Sequence, residues 1–215
     1  MTDVPERVLE EFVGACHRAA GRGLMRCSSG NLSWRIDGDR LLASSSRSWM
    51  EDISPAEVSV CRISDGALLE GNKPTIEIAF HAGIMRTRPD VNMVMHFQTP
   101  CATTLACRPP GEVNYFVIPE IPCYIGHVAR VPFLLPGSNE LAEAVTDAMR
   151  DHDMVVMGNH GQVTVAADMD HLIQNAEFFE LACEVIVRGG DGVKPLPEED
   201  VEVLLEWKRA RSPGV

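Results

Sequence analysis

Val91-Asn92-Met93-Val94-Met95-His96 is apolar almost throughout and closes on a histidine. A short, nearly continuous apolar run is what a strand needs when both of its faces are covered. Met154-Val155-Val156-Met157 repeats the pattern and leads into Asn159-His160-Gly161. Two such strands, each delivering a histidine at its end, set the frame for reading everything around them.

Working outward, the spacing of Ile78, Ile84 and Met85 predicts a helix over 76–87, ending before Arg88-Pro89. Helices are also expected from Thr2 or Asp3 to Ala20, over 99–107, over 140–150, over 168–188 and over 198–211. Shorter β-like runs occupy 32–36, 40–43, 58–63 and 163–166, with hairpin turns at Asp37-Gly38 and Asp65-Gly66. The proline-rich segment 113–135 reads as strand and loop. Hairpins early and strand–helix alternation later predict one α/β domain around a central mixed sheet, spanning 1–215 with 191–215 as a tail helix.

The formal net charge is -12, and no Lys/Arg-rich run offsets it. That balance argues against a nucleic-acid partner. A local pocket can still oppose the global field for a small anion. Seven cysteines without C-x-x-C spacing argue against a disulfide framework or a thiolate zinc cage. With no signal-like N-terminus and no apolar run of membrane-spanning length, the cytoplasm is the expected compartment.

His96 and His160 at two strand ends are compatible with one divalent ion, and Gln98 shares the face of His96 in an extended chain. On spacing alone, both histidines read as readily as satisfied, partly buried side chains. Glu77 opens a helix, where a carboxylate commonly serves only the helix dipole. The polar loops Ser28-Ser29-Gly30-Asn31 and Ser44-Ser45-Ser46-Arg47 could cradle an anion or be ordinary turns.

Taken in order, Ser29-Gly30-Asn31-Leu32-Ser33, Lys73-Pro74-Thr75-Ile76-Glu77, Phe80-His81, Arg88-Pro89-Asp90, Val94-Met95-His96, Pro136-Gly137-Ser138-Asn139-Glu140-Leu141 and Asn159-His160-Gly161 resemble the class II aldolase/adducin family. The resemblance covers about residues 5–190. It implies a single three-layer domain whose mixed sheet is largely antiparallel and flanked by helices. It also implies a divalent metal, zinc by family habit, on His96, Gln98 and His160. Glu77 would be the acid/base and Tyr115, from a neighbouring subunit, a second catalytic acid, with Asn31, Ser46, Arg47 and Thr75 holding the substrate's anionic end. The implied reaction is reversible aldol cleavage of a hydroxy-ketone sugar phosphate or related polyol acid through an enediolate. The implied assembly is a homotetramer. Glu77, where the epimerase branch carries aspartate, favours C–C cleavage.

Three departures from the family pattern qualify this. Gln98 stands where the family has a histidine, and an amide oxygen is a poorer zinc ligand than imidazole. His127 is a candidate replacement that no motif supports. Arg47 stands where the aldolases have glycine, and Ile76 replaces a serine. Only Tyr115 and Tyr124 are available as phenols. Two rival expectations follow: another metal-assisted reaction of the superfamily (epimerisation, dehydration or decarboxylation), or a non-catalytic, adducin-like assembly domain.

Overall fold

The computed structural model describes residues 4–111 and 113–211. Its core is one eight-stranded sheet. The strands are β1 (Asn31–Arg35), β2 (Arg40–Ser44), β3 (Val58–Arg62), β4 (Leu68–Gly71), β5 (Met93–Phe97), β6 (Ala129–Val131), β7 (Met154–Met157) and β8 (Gln162–Ala166). They lie in the order β4-β3-β2-β1-β5-β8-β7-β6. Every pairing is antiparallel except β6 with β7. The fold is therefore α/β, with a mixed, largely antiparallel sheet flanked by helices, as expected.

Six helices cover it: α1 (Glu6–Gly21), α2 (Ile78–Thr87), α3 (Pro100–Ala106), α4 (Asn139–Ala148), α5 (Met169–Gly189) and α6 (Glu198–Arg211). Period-2 alternation sorts the strand residues between two cores. Met93, Met95 and Phe97 of β5 pack with Phe12 of α1, Leu105 of α3 and Phe179 of α5. Val94 packs on the other face with Phe80 and Ile84 of α2 and with Leu141 and Val145 of α4. His96 has the parity of Val94, so its ring emerges on the α2 side.

Most elements fall where the periodicity predicts, within two residues. The anticipated cap at Thr2 or Asp3 lies outside the described residues, and the first helix begins after Pro5. Segment 113–135 holds a π-helical turn at Ile121–Ile125 besides a short strand. β4 was not anticipated: it is an edge strand whose adjacent leucines, Leu68 and Leu69, are both exposed, so it carries no alternation. Among the described residues, no helix is long and apolar enough to cross a membrane.

The α2–α4 contact closes on Gly83, where an added Cβ would lie 2.4 Å from Thr146 Oγ1 and 3.2 Å from its Cγ2. Helix propensity alone would make Gly83→Ala stabilising by about 1 kcal/mol. Overpacking outweighs it, so urea unfolding of Gly83→Ala should show a net loss of about 1–2 kcal/mol. A gain in stability would mean that the two helices are not closely packed there.

Candidate metal and substrate site

Three chain segments meet at one end of the sheet's central strands. Asn31 opens β1 and pairs in register with His96 near the end of β5. His96 pairs in turn with Val163 of β8, and the β7–β8 turn carries His160. Asn159 in that turn adopts a left-handed φ of 53°, a conformation that asparagine tolerates better than most residues. Gly161 has no room for a side chain: a Cβ would lie 2.8 Å from His96 Cε1, 2.7 Å from Gln98 Cγ and 2.8 Å from Phe97 O. The turn therefore packs directly on the two site residues.

Glu77 sits at the N-cap of α2, yet its side chain makes no capping bond. It turns inward instead, with 5% of its side chain exposed. Oε2 lies 3.7 Å from His96 Nε2, and Oε1 lies 3.6 Å from His160 Nε2. Burial alone would raise the Glu77 carboxyl pKa, but His96, the Asn31 hydrogen bond and His160 together lower it. Burial pushes the His160 imidazole down to about 4, helped by His96 and opposed by Glu77. Deprotonated carboxylate and neutral imidazole are the forms that bind a metal.

His96 Nδ1 donates to the carbonyl of Gln162 at 2.9 Å. That bond leaves the Nε2 lone pair aimed at the cluster, an arrangement typical of ligating histidines. Glu77 Oε1 and His160 Nδ1 are buried without a hydrogen-bond partner. Orphaned polar atoms of this kind are costly unless something else satisfies them. One ligand atom from each of Glu77, His96 and His160 lies within 4.8 Å of the others. This donor set fits a divalent ion. Gln98 joins the edge of the group, its Nε2 3.4 Å from His96 Nε2. A flip of that amide would turn its oxygen inward.

Behind Glu77 runs a buried chain that sequence reasoning did not assign a role. Ser33 Oγ and His81 Nδ1 are 2.7 Å apart, His81 Nε2 and Asn31 Oδ1 are 2.5 Å apart, and Asn31 Nδ2 donates to Glu77 Oε2 at 2.8 Å. Burial drives the His81 pKa down to about 3, with Glu77 opposing and His96 adding to the effect. The ring is therefore neutral, accepting from Ser33 and donating to Asn31. One orientation of the Asn31 amide, with its NH2 toward Glu77, satisfies every member. The only sequence signal was Phe80-His81 as part of a longer resemblance.

Asn31, Glu77, His96, Gln98 and His160 line a cavity of about 780 Å³ that also takes in Ser46, Arg47, Lys73, Thr75 and Ile76. Backbone bonds from Ser46 N to Lys73 O (2.9 Å) and from Thr75 N to Ser44 O (3.0 Å) lace the two polar loops together. All the residues anticipated as ligands or anion contacts thus meet in one cavity. Tyr115 does not line it. Its ring packs at 5.0 Å from that of Phe179, its hydroxyl is buried, and burial raises its pKa to about 12. His127 lies against Phe116, ring to ring at 5.3 Å, apart from the cluster.

Two substitutions test the donor set. Gln98→His should tighten Zn2+ binding about tenfold or more, because imidazole suits the ion better than an amide. Gly161→Ala should weaken it by a similar factor by displacing His96. Competition against a chelating dye measures both; an unchanged affinity in Gln98→His would remove residue 98 from the site.

Known proteins resemble this chain in sequence and in fold. The profile of the Class II Aldolase and Adducin N-terminal domain matches residues 10–187. A 3-oxo-tetronate 4-phosphate decarboxylase of Escherichia coli O6:H1 (strain CFT073) is 28% identical over 191 residues, covering 87% of this chain and 90% of the relative. A 5-methylthioribulose-1-phosphate/5-deoxyribulose-1-phosphate aldolase of Rhodospirillum rubrum is 30% identical over 199 residues, covering 91% and 88%. Among solved structures, YgbL from Escherichia coli, described as an aldolase, epimerase or decarboxylase, superposes with a TM-score of 0.86 at 26% identity, over 93% of this chain and 98% of that one.

Proposed function

Since the chain belongs to the class II aldolase and adducin family, we propose that it is a metal-dependent lyase. It breaks a C–C bond beside the ketone of a phosphorylated sugar or sugar acid, with an enediolate as the intermediate. The observation that carries this reading is Glu77, buried between His96 and His160. A helix-opening carboxylate that leaves its own helix uncapped to sit among imidazoles is suited to chemistry, not to stability. An assembly domain has no use for it.

His96 and His160, with Gln98 alongside, are the groups that would hold the ion, with Glu77 next to it, and zinc suits their nitrogen and oxygen donors. A divalent ion there supplies Lewis acidity, lowering the energy of negative charge on the substrate's oxygens. Glu77 is the proton carrier: it takes up a proton from solvent and delivers it to the carbon left electron-rich by cleavage. Asn31 steers that carboxylate through its amide. Ser46, Thr75 and Arg47 hold the anionic end and so orient the breaking bond.

Decarboxylation is favoured over aldol cleavage as the reaction. Aldol cleavage also needs a base to take the proton from the hydroxyl that becomes a carbonyl. A carboxylate leaves as CO2 with no proton to remove: the bond's electron pair stays on the carbon, and Glu77 protonates it. The decarboxylase relatives, aligned over most of both chains, support the same choice. The aldolase relatives keep retro-aldol cleavage as the second reading.

The family resemblance also carries a homotetramer. Ile76, Phe133 and Leu135, exposed at 52%, 58% and 70%, provide apolar surface that assembly would cover. Seven free cysteines are consistent with a reducing compartment, and we place the protein in the cytoplasm on that basis.

Incubating the protein with 3-oxo-tetronate 4-phosphate and, separately, 5-deoxyribulose 1-phosphate, with mass analysis of products, tests the reading. The first is expected to lose CO2, and a chelator should abolish the reaction until a divalent ion is restored. Glu77→Gln should lower kcat by about 10²–10⁴-fold while the circular dichroism spectrum is unchanged. Full turnover in Glu77→Gln would remove the carboxylate from the mechanism.

A further inference from the structure

His81 lies four residues beyond Glu77, so both side chains leave α2 on the same face. Asn31 and Ser33 stand two apart on β1 and also share a face. His81 is 0% exposed and stacks on Phe80 at 4.7 Å between ring centroids. A phenyl ring would fill that space, and burying two ring nitrogens is costly unless both are bonded. Both are bonded, Nδ1 to Ser33 Oγ and Nε2 to Asn31 Oδ1. An imidazole so placed is there for its hydrogen bonds.

The row of donors and acceptors is determined from its Glu77 end. An ionised carboxylate only accepts, so Asn31 must turn its NH2 toward Glu77 and its Oδ1 toward His81. An oxygen facing the ring demands a proton on Nε2. Nδ1 is then a lone pair, which the Ser33 hydroxyl fills by donating. A flipped amide would set Oδ1 against the carboxylate and NH2 against an N–H, two repulsions in a buried place. Asn31 alone does not forbid that flip, because the two ends of its amide are alike in shape. Among the described residues, Asn31 supplies the only hydrogen bond to the Glu77 carboxylate. The setting of that carboxylate therefore depends on a ring that does not touch it. Burial keeps the ring uncharged, with its pKa pushed down to about 3, so it acts as a fixed donor and not as a proton carrier.

We propose that His81 is a positioning residue of this site: as a neutral Nε2–H imidazole anchored by Ser33, it locks the Asn31 amide with its NH2 on Glu77 and so holds the carboxylate between His96 and His160. This rests on the lyase reading for the task of Glu77; the hydrogen-bond pattern itself does not depend on turnover. Ser33 contributes by fixing the tautomer, one step further from the reacting atoms.

Steady-state kinetics of the full-length protein on 3-oxo-tetronate 4-phosphate, with Zn2+ present, tests this through substitutions of His81. His81→Phe keeps the ring's shape and stacking but neither bond. Its kcat should fall about 10–100-fold, as for a displaced reacting group, with KM within about twofold of wild type. His81→Gln, whose amide nitrogen reaches the place of Nε2, should recover most of that loss. His81→Asn reaches only the place of Nδ1 and should not. Unchanged kcat in His81→Phe overturns the proposal. Equal recovery by glutamine and asparagine overturns it too, since donation to Asn31 would then be immaterial. A second measurement needs no variant: imidazole 15N shifts of the wild-type protein should show His81 protonated on Nε2 and bare on Nδ1. The opposite tautomer, or a doubly protonated ring at neutral pH, overturns the proposal. Should neither sugar phosphate turn over, the lyase reading fails, while the tautomer and the Asn31 side-chain amide shift still decide the role of His81. That amide shift should move in His81→Phe; an unmoved signal counts against the lock.

Discussion

A carboxylate buried among imidazoles is unstable company unless something compensates its lost hydration, and Glu77 is compensated from three directions. Asn31 donates to one oxygen, while His96 and His160 stand within 4 Å of the pair. None of these partners is near Glu77 in the chain. Asn31 reaches it because β1 pairs with β5 in one register, and His160 reaches it because β7 and β8 form a tight hairpin beside β5. A slip of one residue in either pairing would send Asn31 or His96 to the opposite face of the sheet and leave the carboxylate without support. The hydrophobic alternation that builds the two cores thereby also aligns the polar site.

Much of this was legible in the chain, for identifiable reasons. The apolar runs before His96 and His160 announce buried strands, and a histidine at such an end is held firmly. Glu77 was ambiguous because a carboxylate at a helix start has two uses, and only the direction of its side chain separates them. His81 was opaque: its neutrality comes from complete burial between α2 and β1, a tertiary fact with no local signature. Tyr115 entered through the resemblance as an acid from a neighbouring subunit; within its own chain its ring packs against Phe179 and its hydroxyl is buried. β4 escaped notice because an edge strand needs hydrogen bonds on one side only and no apolar periodicity.

The site divides into a rigid interior and an adjustable rim. Inside, the Ser33–His81–Asn31–Glu77 chain admits one pattern of donors and acceptors, and Gly161 leaves no clearance against His96. At the rim, Arg47 and Ile76 occupy positions where the family resemblance leads one to expect glycine and serine. The interior is fixed by packing that permits one arrangement, while the rim lies in loops that face solvent.

The antiparallel pairing of β1, β5 and β8 has a further consequence. Asn31 and His96 ride on hydrogen-bonded neighbours, so their separation is inherited from the spacing between strands, about 4.8 Å, and not from any side-chain adjustment. The sheet therefore anchors one side of the site, while Glu77 at the start of α2 and His160 in the β7–β8 turn bring the other side to it from segments outside the strands.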